Sequence, residues 1–361
     1  MPIDEVLISA RIGDGRIGDG RIGDVRAAGR ERGVLVELAF GAGAKGSEDP
    51  QDPRGPGDVR VGDVYLGRVR SRVPAMGGAF VDIGPGRPGL LMAADGPEGR
   101  LPSEGDTVVV RVLRAAEGEK GPKLAARVPD AGAGDACTAA APGPAPRRLA
   151  RGPDPVQALL LRADAAGALA RVVVDDPHTL VRLRTALPAL APRLQPWRGQ
   201  APLFEAEGVN EAIEAALDPR VPLPGGGRLV IEETAALVAI DVDLGSEAGG
   251  SAKAAALACD LQAAAAIGRQ LRLRELAGRI VIDFVPIRRP ADRARVLAAL
   301  QAGLDDGERS LRLGGWTRLG LVELIREKRG PSLAARLGPP CPACGGAGRV
   351  MPPPPPAVDG R

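Results

Sequence analysis

The spacing of apolar positions changes twice along the chain. Near the N-terminus "EVLIS" and "GVLVELAF" read as short strands. Between them lies "RIGDGRIGDGRIGD", whose five-residue unit is too short for a solenoid and reads as a lengthened hairpin loop. From Asp58 to about Pro129 the pattern becomes strictly short: "DVYLGRVRSRV", "GGAFVDIG", "PGLLMAA", "DTVVVRVLRAA" and "PKLAARV". Short strands with turns between them predict a small Greek-key barrel of the OB type. Residues 130–155, "DAGAGDACTAAAPGPAPRRLARGPDP", carry no periodicity and read as a flexible linker.

From Val156 strands and helices alternate. "ARVVVDDP" is a buried strand followed by the short helix "HTLVRLRTAL". The strands "RLVIEET" and "ALVAIDVD" precede a long helix with Ser251 as N-cap and Gly278 as stop. Its apolar stripe runs through Leu257, Leu261, Ala264, Ile267 and Leu271. "RIVIDFVPI" is a further strand, and "PADRARVLAALQAGL" a helix with proline in its first turn. The chain is therefore expected to be α/β, an α+β multidomain protein.

Composition sharpens this in few places. With 361 residues, 44% hydrophobic and 26% charged, the chain has room for two or three globular cores. A net charge of +3 excludes a polycation, but the basic residues are nearly all arginine, which suits bidentate contact with phosphate. The acidic start lacks the pattern of a secretory signal, and no apolar run reaches the roughly 18 residues of a membrane span. A cytoplasmic location is expected.

The candidate chemistry lies on strands. Asp241 and Asp243 are two apart in "VAIDVD", so both side chains leave one face. Asp283 interrupts the apolar run "IVIDF", where a carboxylate is costly unless paired or bound to a cation. Either these acids cap loops at strand ends, or three carboxylates converge on a hard divalent cation such as Mg²⁺. Arg68, Arg70 and Arg72 recur every second residue and would share one face, as a solvated edge or as a nucleic-acid surface. "CPACGGAG" places Cys341 and Cys344 on a glycine-rich turn, half of a zinc site or a redox pair. Cys137, Cys259 and the single histidine, His178, read as a free thiol, a small buried hydrophobe and a surface or capping residue.

Taken together, "RLVIEETAALVAIDVD", "RQLRLRELAGRIVIDF", "WTRLGLVELIREKR" and "CPACGGAG" resemble the ribonuclease E/G endoribonucleases in order and spacing. "PWRGQAPLFEAEGVNEAIEAAL" is similar to the segment just upstream, and "DVYLGRVRSRVPAMGGAFVDIG" to the RNA-binding OB module. The likeness covers about residues 58–129 and 156–350. It implies an OB barrel (58–129) inserted in a ribonuclease-H-like subdomain (1–57 and 156–216) after which the linker 130–155 leads back. A deoxyribonuclease-I-like catalytic subdomain (217–335) and a zinc-link with a Pro-rich tail (336–361) follow.

The resemblance further implies a Mg²⁺-dependent endoribonuclease acting on single-stranded RNA. Asp241 and Asp283 would be the metal ligands with Asp243 beside them, Phe80 a base-stacking aromatic and Lys120 a basic RNA contact. Cys341 and Cys344 would share one zinc with a second subunit in a homodimer. Three positions depart from the pattern: Asp243 stands for Asn, Leu90 for a second stacking aromatic, and Ala236 for an acid. These favour an alternative, a catalytically impaired RNA-binding paralogue; a deoxyribonuclease or other metal phosphoesterase is a third reading. The chain reads as a short form without a C-terminal extension and without the family's 5′-sensor subdomain, whose place is taken by the linker.

Overall fold

A computed structural model describes residues 2–10, 25–41, 59–84, 86–116, 120–126, 143–245, 252–304, 311–328, 330–338 and 341–344. The RIGDG repeat, Cys137, Ser251 and the Pro-rich tail lie outside them.

The chain opens with an antiparallel meander of β1 (Glu5–Ser9), β2 (Val25–Glu31) and β3 (Val34–Gly41). A two-residue turn joins β2 to β3, with Arg32 at φ 50° and Gly33 at φ 80°. Both values suit the primed turns that match strand twist.

The chain then leaves this sheet to build the barrel from β4 (Val64–Val73), β5 (Gly78–Asp82), β6 (Gly89–Met92), β7 (Thr107–Arg114) and β8 (Lys123–Ala125). Pairing runs β4-β5-β6-β8-β7 and back to β4, a closed five-stranded barrel consistent with an OB-fold. Tyr65, Val69, Val81, Leu91, Val110 and Leu124 fill it. All five correspond to strands expected from the sequence.

The linker expectation needs correction. Residues 147–150 form β9 (Arg147–Ala150), which pairs with the first half of β4, Arg148 opposite Tyr65 and Arg147 opposite Leu66. β5 pairs with β4 only from Arg68 onward, so the edge at Val64–Leu66 would otherwise present unpaired backbone groups. Behind β9 a buried joint closes. Asp63, fully enclosed, accepts hydrogen bonds from the Gly152 N–H (2.7 Å), the Arg60 N–H (3.1 Å) and the Tyr65 hydroxyl (3.3 Å). Burial, and next the charge of Asp63, push the Tyr65 hydroxyl pKa up to about 12.

The chain returns through α1 (Pro155–Ala165), capped by Asp154, to β10 (Arg171–Val174), α2 (Pro177–Ala186), β11 (Leu194–Pro196), α3 (Leu203–Ala206) and α4 (Val209–Leu217). β10 lies parallel to β1 and β11 parallel to β10, completing the order β11-β10-β1-β2-β3. The barrel is thus an insertion between β3 and α1. Both faces of this sheet are covered: Val6 and Ile8 pack with Leu159 of α1 on one side, Leu7 with Phe204 and Ile213 on the other.

The last module holds β12 (Arg220–Pro222), β13 (Arg228–Glu233), β14 (Val238–Asp243), α5 (Ala252–Leu273), β15 (Gly278–Asp283), α6 (Pro290–Leu304), β16 (Leu311–Trp316), β17 (Val322–Arg326) and α7 (Leu333–Leu337). Its sheet runs β12-β13-β14-β15-β17-β16, with β14 and β15 parallel. One face packs Ile240, Ile280, Ile282 and Leu324 against Ile267 of α5 and Val296 and Leu300 of α6. The two helices touch at Gly268, where a Cβ would stand 2.0 Å from the Gly303 carbonyl oxygen. The other face carries exposed or half-exposed residues along β13, β14, β15, β17 and β16. α5 stops at Leu273, short of Gly278; Glu275 takes the left-handed conformation (φ 55°) and Gly278 opens β15 instead. The same helix ties this module to the first, the Arg269 guanidinium Nε donating to the Leu35 carbonyl (3.0 Å). Among the described residues no helix is long and apolar enough to cross a membrane.

Candidate active site and nucleic-acid face

The parallel pairing of β14 and β15 sets Asp241 directly beside Asp283. Their α-carbons are thus neighbours across one ladder step of about 4.8 Å. Flanking Ile240 and Ile282 point into the core, so both carboxylates are driven to the open face. Burial at this position, followed by the charges of Asp283 and Asp243, raises the Asp241 pKa above the usual carboxylate range, and Arg228 partly offsets this. Two acids held side by side against mutual repulsion form a donor set that a hard cation relieves.

Asp243 does not complete a triad. It pairs across the ladder with Arg228, whose guanidinium donates to it at 2.5 Å. Its other oxygen accepts the Gly245 N–H at 2.9 Å, which lowers its pKa first, with Arg228 adding to the effect. Among the described residues no three Asp, Glu, His or Cys side chains are grouped as a metal would need. The expected convergence of three carboxylates is therefore two, with the third occupied by arginine. Ala236, expected in the strand before the site, sits instead in the exposed β13–β14 turn, before β14 begins.

One acid was missed by sequence reasoning. Asp260 of α5 is fully buried; its Oδ1 accepts the N–H of Val285, two residues past Asp283, and its Oδ2 has no partner among the described residues. Burial pushes its pKa up to about 7, against the pull of that hydrogen bond. The signal was in the helix: Asp260 lies four residues before Ala264 and seven before Ile267, inside the apolar stripe.

On the barrel, Arg68 and Arg70 are exposed on β4, and Arg70 is held by Asp82 (2.7 Å). Arg72 is exposed as well, so the three arginines alternate with buried Val69 and half-buried Ser71. The pairing of β4 with β5 shifts between Val69 and Ser71, which makes Arg70 the extra residue of a bulge. Ser71 then faces Phe80, while Arg72 pairs with the buried Ala79. Phe80, 37% exposed, leads a continuous cross-strand row through Leu90 and Lys123 to Arg114. Lys123, held by Asp95 at 3.2 Å, and Arg114 were not picked out from sequence. Lys120 is exposed just before β8.

The thiols separate as expected. Cys341 and Cys344 lie at the exposed end of the described chain, and Cys259 is buried in the last module's core. Hydrogen bonds from the backbone of Cys344 and then Ala343 lower the Cys341 pKa. His178 is exposed in the first turn of α2, whose N-cap is Asp176.

An inserted five-stranded barrel and an open sheet with paired aspartates define a multidomain α/β protein with a polyanion-compatible surface and a cation-compatible site. The Ribonuclease E/G family model matches residues 107–329, and the chain belongs to that family. It is 30% identical to Ribonuclease E of Nostoc sp. over 380 residues, covering 82% of this chain and 55% of the relative. It is 38% identical to Ribonuclease G of Haemophilus influenzae over 165 residues (45% of this chain, 34% of the relative). Against Ribonuclease G of Escherichia coli K12 it is 33% identical over 196 residues (53% and 40%). The chain thus matches about half the length, or less, of these curated relatives.

Proposed function

We propose that this chain is a Mg²⁺-dependent endoribonuclease that hydrolyses phosphodiester bonds in single-stranded RNA. The observation that carries this is the in-register pair Asp241 and Asp283 on neighbouring parallel strands, open to solvent and with the Asp241 pKa raised. These two carboxylates would hold the cation. Such an ion, when bound, neutralises phosphodiester charge and makes water a better nucleophile at neutral pH. Arg228 keeps Asp243 aligned beside the pair, and Ala239 and Val281 leave a flat shelf on which an extended strand can lie. Phe80, Leu90, Arg68 and Lys120 on the barrel would bind bases and backbone ahead of the cut.

Around this site, the insertion of the barrel between β3 and α1 supports reading the first module as ribonuclease-H-like. The last module then reads as the deoxyribonuclease-I-like catalytic subdomain. Cys341 and Cys344 supply two of the four ligands of a structural zinc, and two chains sharing one ion supply the rest. Metal analysis should then give one zinc per two chains, and the double variant Cys341→Ser/Cys344→Ser should sediment as a monomer; one zinc in a monomeric chain would reject the shared site. Work in a reducing, cytoplasmic compartment fits free thiols of this kind.

A second reading is a catalytically impaired RNA-binding paralogue. The Asp243–Arg228 ion pair favours it, because a family Asn would carry no charge to pair. One assay separates the two. End-labelled single-stranded RNA should be cut internally with Mg²⁺ and left intact with EDTA. Binding without cutting at any Mg²⁺ concentration supports the paralogue, and preferential cutting of single-stranded DNA supports a deoxyribonuclease.

A further inference from the structure

The open face of the last sheet continues well beyond the aspartate pair. Four residues back along β15 from Asp283, about 13 Å at the strand rise, Arg279 shares a cross-strand row with Ile325 of β17 and Arg312 of β16. Their neighbours Ile280, Leu324, Leu311 and Leu313 turn into the core, so alternation places all three on the face that carries Asp241 and Asp283. All three are exposed, Ile325 by half. Neither guanidinium has a hydrogen-bond or ion-pair partner among the described residues. Elsewhere on the face Arg228 is held by Asp243, and Arg220 of β12 lies in the row of Asp241 and Asp283. The Arg279–Arg312 row is the place where two uncommitted guanidiniums stand together, at the far end from that pair.

Between the two ends lies a different row. Ala239 pairs with Val281 at its centre, flanked by Glu232 and Glu323. Phosphate is disfavoured beside the two glutamates, whereas a sugar or base can rest on the small apolar centre. The face therefore alternates along β15: a cation-compatible end, an apolar step framed by acids, and an arginine row with an exposed isoleucine. A single-stranded polynucleotide alternates phosphate and apolar ring in the same way.

We propose that Arg279 and Arg312 form a second phosphate subsite on this face. They take a phosphate of the same strand whose scissile phosphodiester lies at Asp241 and Asp283, with a base against Ile325. This deepens the reading of the site as an RNA nuclease and rests on it for the identity of the ligand.

The test measures binding and cutting separately on a short labelled single-stranded RNA. Binding is followed by fluorescence anisotropy in EDTA over a range of salt concentrations. The double variant Arg279→Gln/Arg312→Gln should bind about tenfold more weakly, and the slope of log affinity against log salt should shrink by about 1.4, two contacts at 0.7 each. Arg279→Lys/Arg312→Lys keeps both charges and should retain affinity within about threefold. Arg182→Gln, on α2 of the first module, controls for loss of charge alone. An unchanged slope and affinity in the double glutamine variant overturns the subsite, even if the unmodified protein cuts RNA. A reduced slope in a protein that never cuts keeps the subsite and rejects the nuclease. No measurable binding by the unmodified chain overturns both.

Discussion

Ser9 and Asp175 stand at the carboxyl ends of parallel strands β1 and β10, much as Asp241 and Asp283 stand on β14 and β15. In the first pair the Ser9 hydroxyl donates to Asp175 at 2.6 Å, and the other carboxylate oxygen accepts the Ala10 N–H at 3.0 Å. Both residues are buried, under a sheet covered on each face. In the second pair acid faces acid, on a sheet that the described residues cover on one face only. One arrangement satisfies its polar atoms internally and so contributes to stability. The other sets two carboxylates side by side at the surface, where a bound cation would relieve their repulsion.

The sharpest way to break this comparison is to remove one acid from each pair. Asp241→Ala or Asp283→Ala should lower Mg²⁺-dependent cleavage by at least about 100-fold, the scale of losing a main electrostatic group in a transition state. Mn²⁺ affinity measured by calorimetry should fall in parallel. Stability should hold or rise. A carboxylate with a raised folded pKa contributes stability present below its unfolded pKa and lost as pH rises through the folded value. At neutral pH Asp241 therefore opposes folding. Asp175→Ala should do the reverse, costing roughly 2–4 kcal/mol through the buried groups left unpaired, with metal affinity unchanged. Full activity in either site variant, or lost metal affinity in Asp175→Ala, would erase the distinction.

Asp260 lies between the two cases, buried like Asp175 yet with one oxygen unpaired among the described residues. Its pKa is raised to about 7, so its stabilising contribution is present below about pH 4 and lost progressively as pH rises to about 7. Asp260→Asn can still accept the Val285 N–H, and it should be more stable than the parent at pH 8 by up to about 4 kcal/mol, three pKa units at 1.36 each. The advantage should vanish toward pH 4. Urea unfolding across that range reads the difference, and a constant offset would assign it to packing instead.

A smaller effect is expected at Asp243. Asp243→Asn breaks an exposed ion pair with Arg228, which solvent screens and which contributes little to stability. It also removes one of the charges that raise the Asp241 pKa. Cleavage should stay within about threefold of the parent at its optimum, with its acid limb moved to lower pH. A complete loss of activity would make Asp243 essential.

What the sequence made legible follows from how local each signal is. Alternation in "TVVVRVLR" and "GAFVD" belongs to the strands themselves, so the barrel could be read directly. The motifs "AID" and "IDF" marked both aspartates, but their side-by-side register exists only once β14 and β15 pair in parallel. β9 escaped because four residues, two of them arginine, become a strand only where β4 offers an open edge. The bulge at Arg70 was not legible, because a one-residue shift in pairing leaves no mark in a run that alternates on both sides of it. Arg228 meets Asp243 across a hairpin register, and Asp260 meets Val285 across 25 residues, distances that no local pattern carries.

The same four-residue strand underlies the smallest predicted effect. The family resemblance implies a subdomain that binds the RNA 5′-monophosphate through an Arg-Thr pair, in the interval after the barrel. Here that interval is residues 130–155, and it contains no such motif. Arg147, Arg148 and Arg151 would be its only basic residues. They are not a loose cluster: Arg147 and Arg148 are fixed on β9, Arg148 acts on the Tyr65 hydroxyl, and Arg151 reaches toward buried Asp63 at 4.0 Å. Guanidiniums committed to the joint between barrel and α1 cannot also gather around one terminal phosphate without giving up those contacts. The chain should therefore enter RNA internally. Substrates matched except for a 5′-monophosphate, 5′-hydroxyl or 5′-triphosphate should be cut within about threefold of one another, less than about 1 kcal/mol. A tenfold preference for the monophosphate would place a terminal-phosphate site in this interval, and Arg147→Gln or Arg148→Gln should then abolish that preference while the hydroxyl substrate is cut as before.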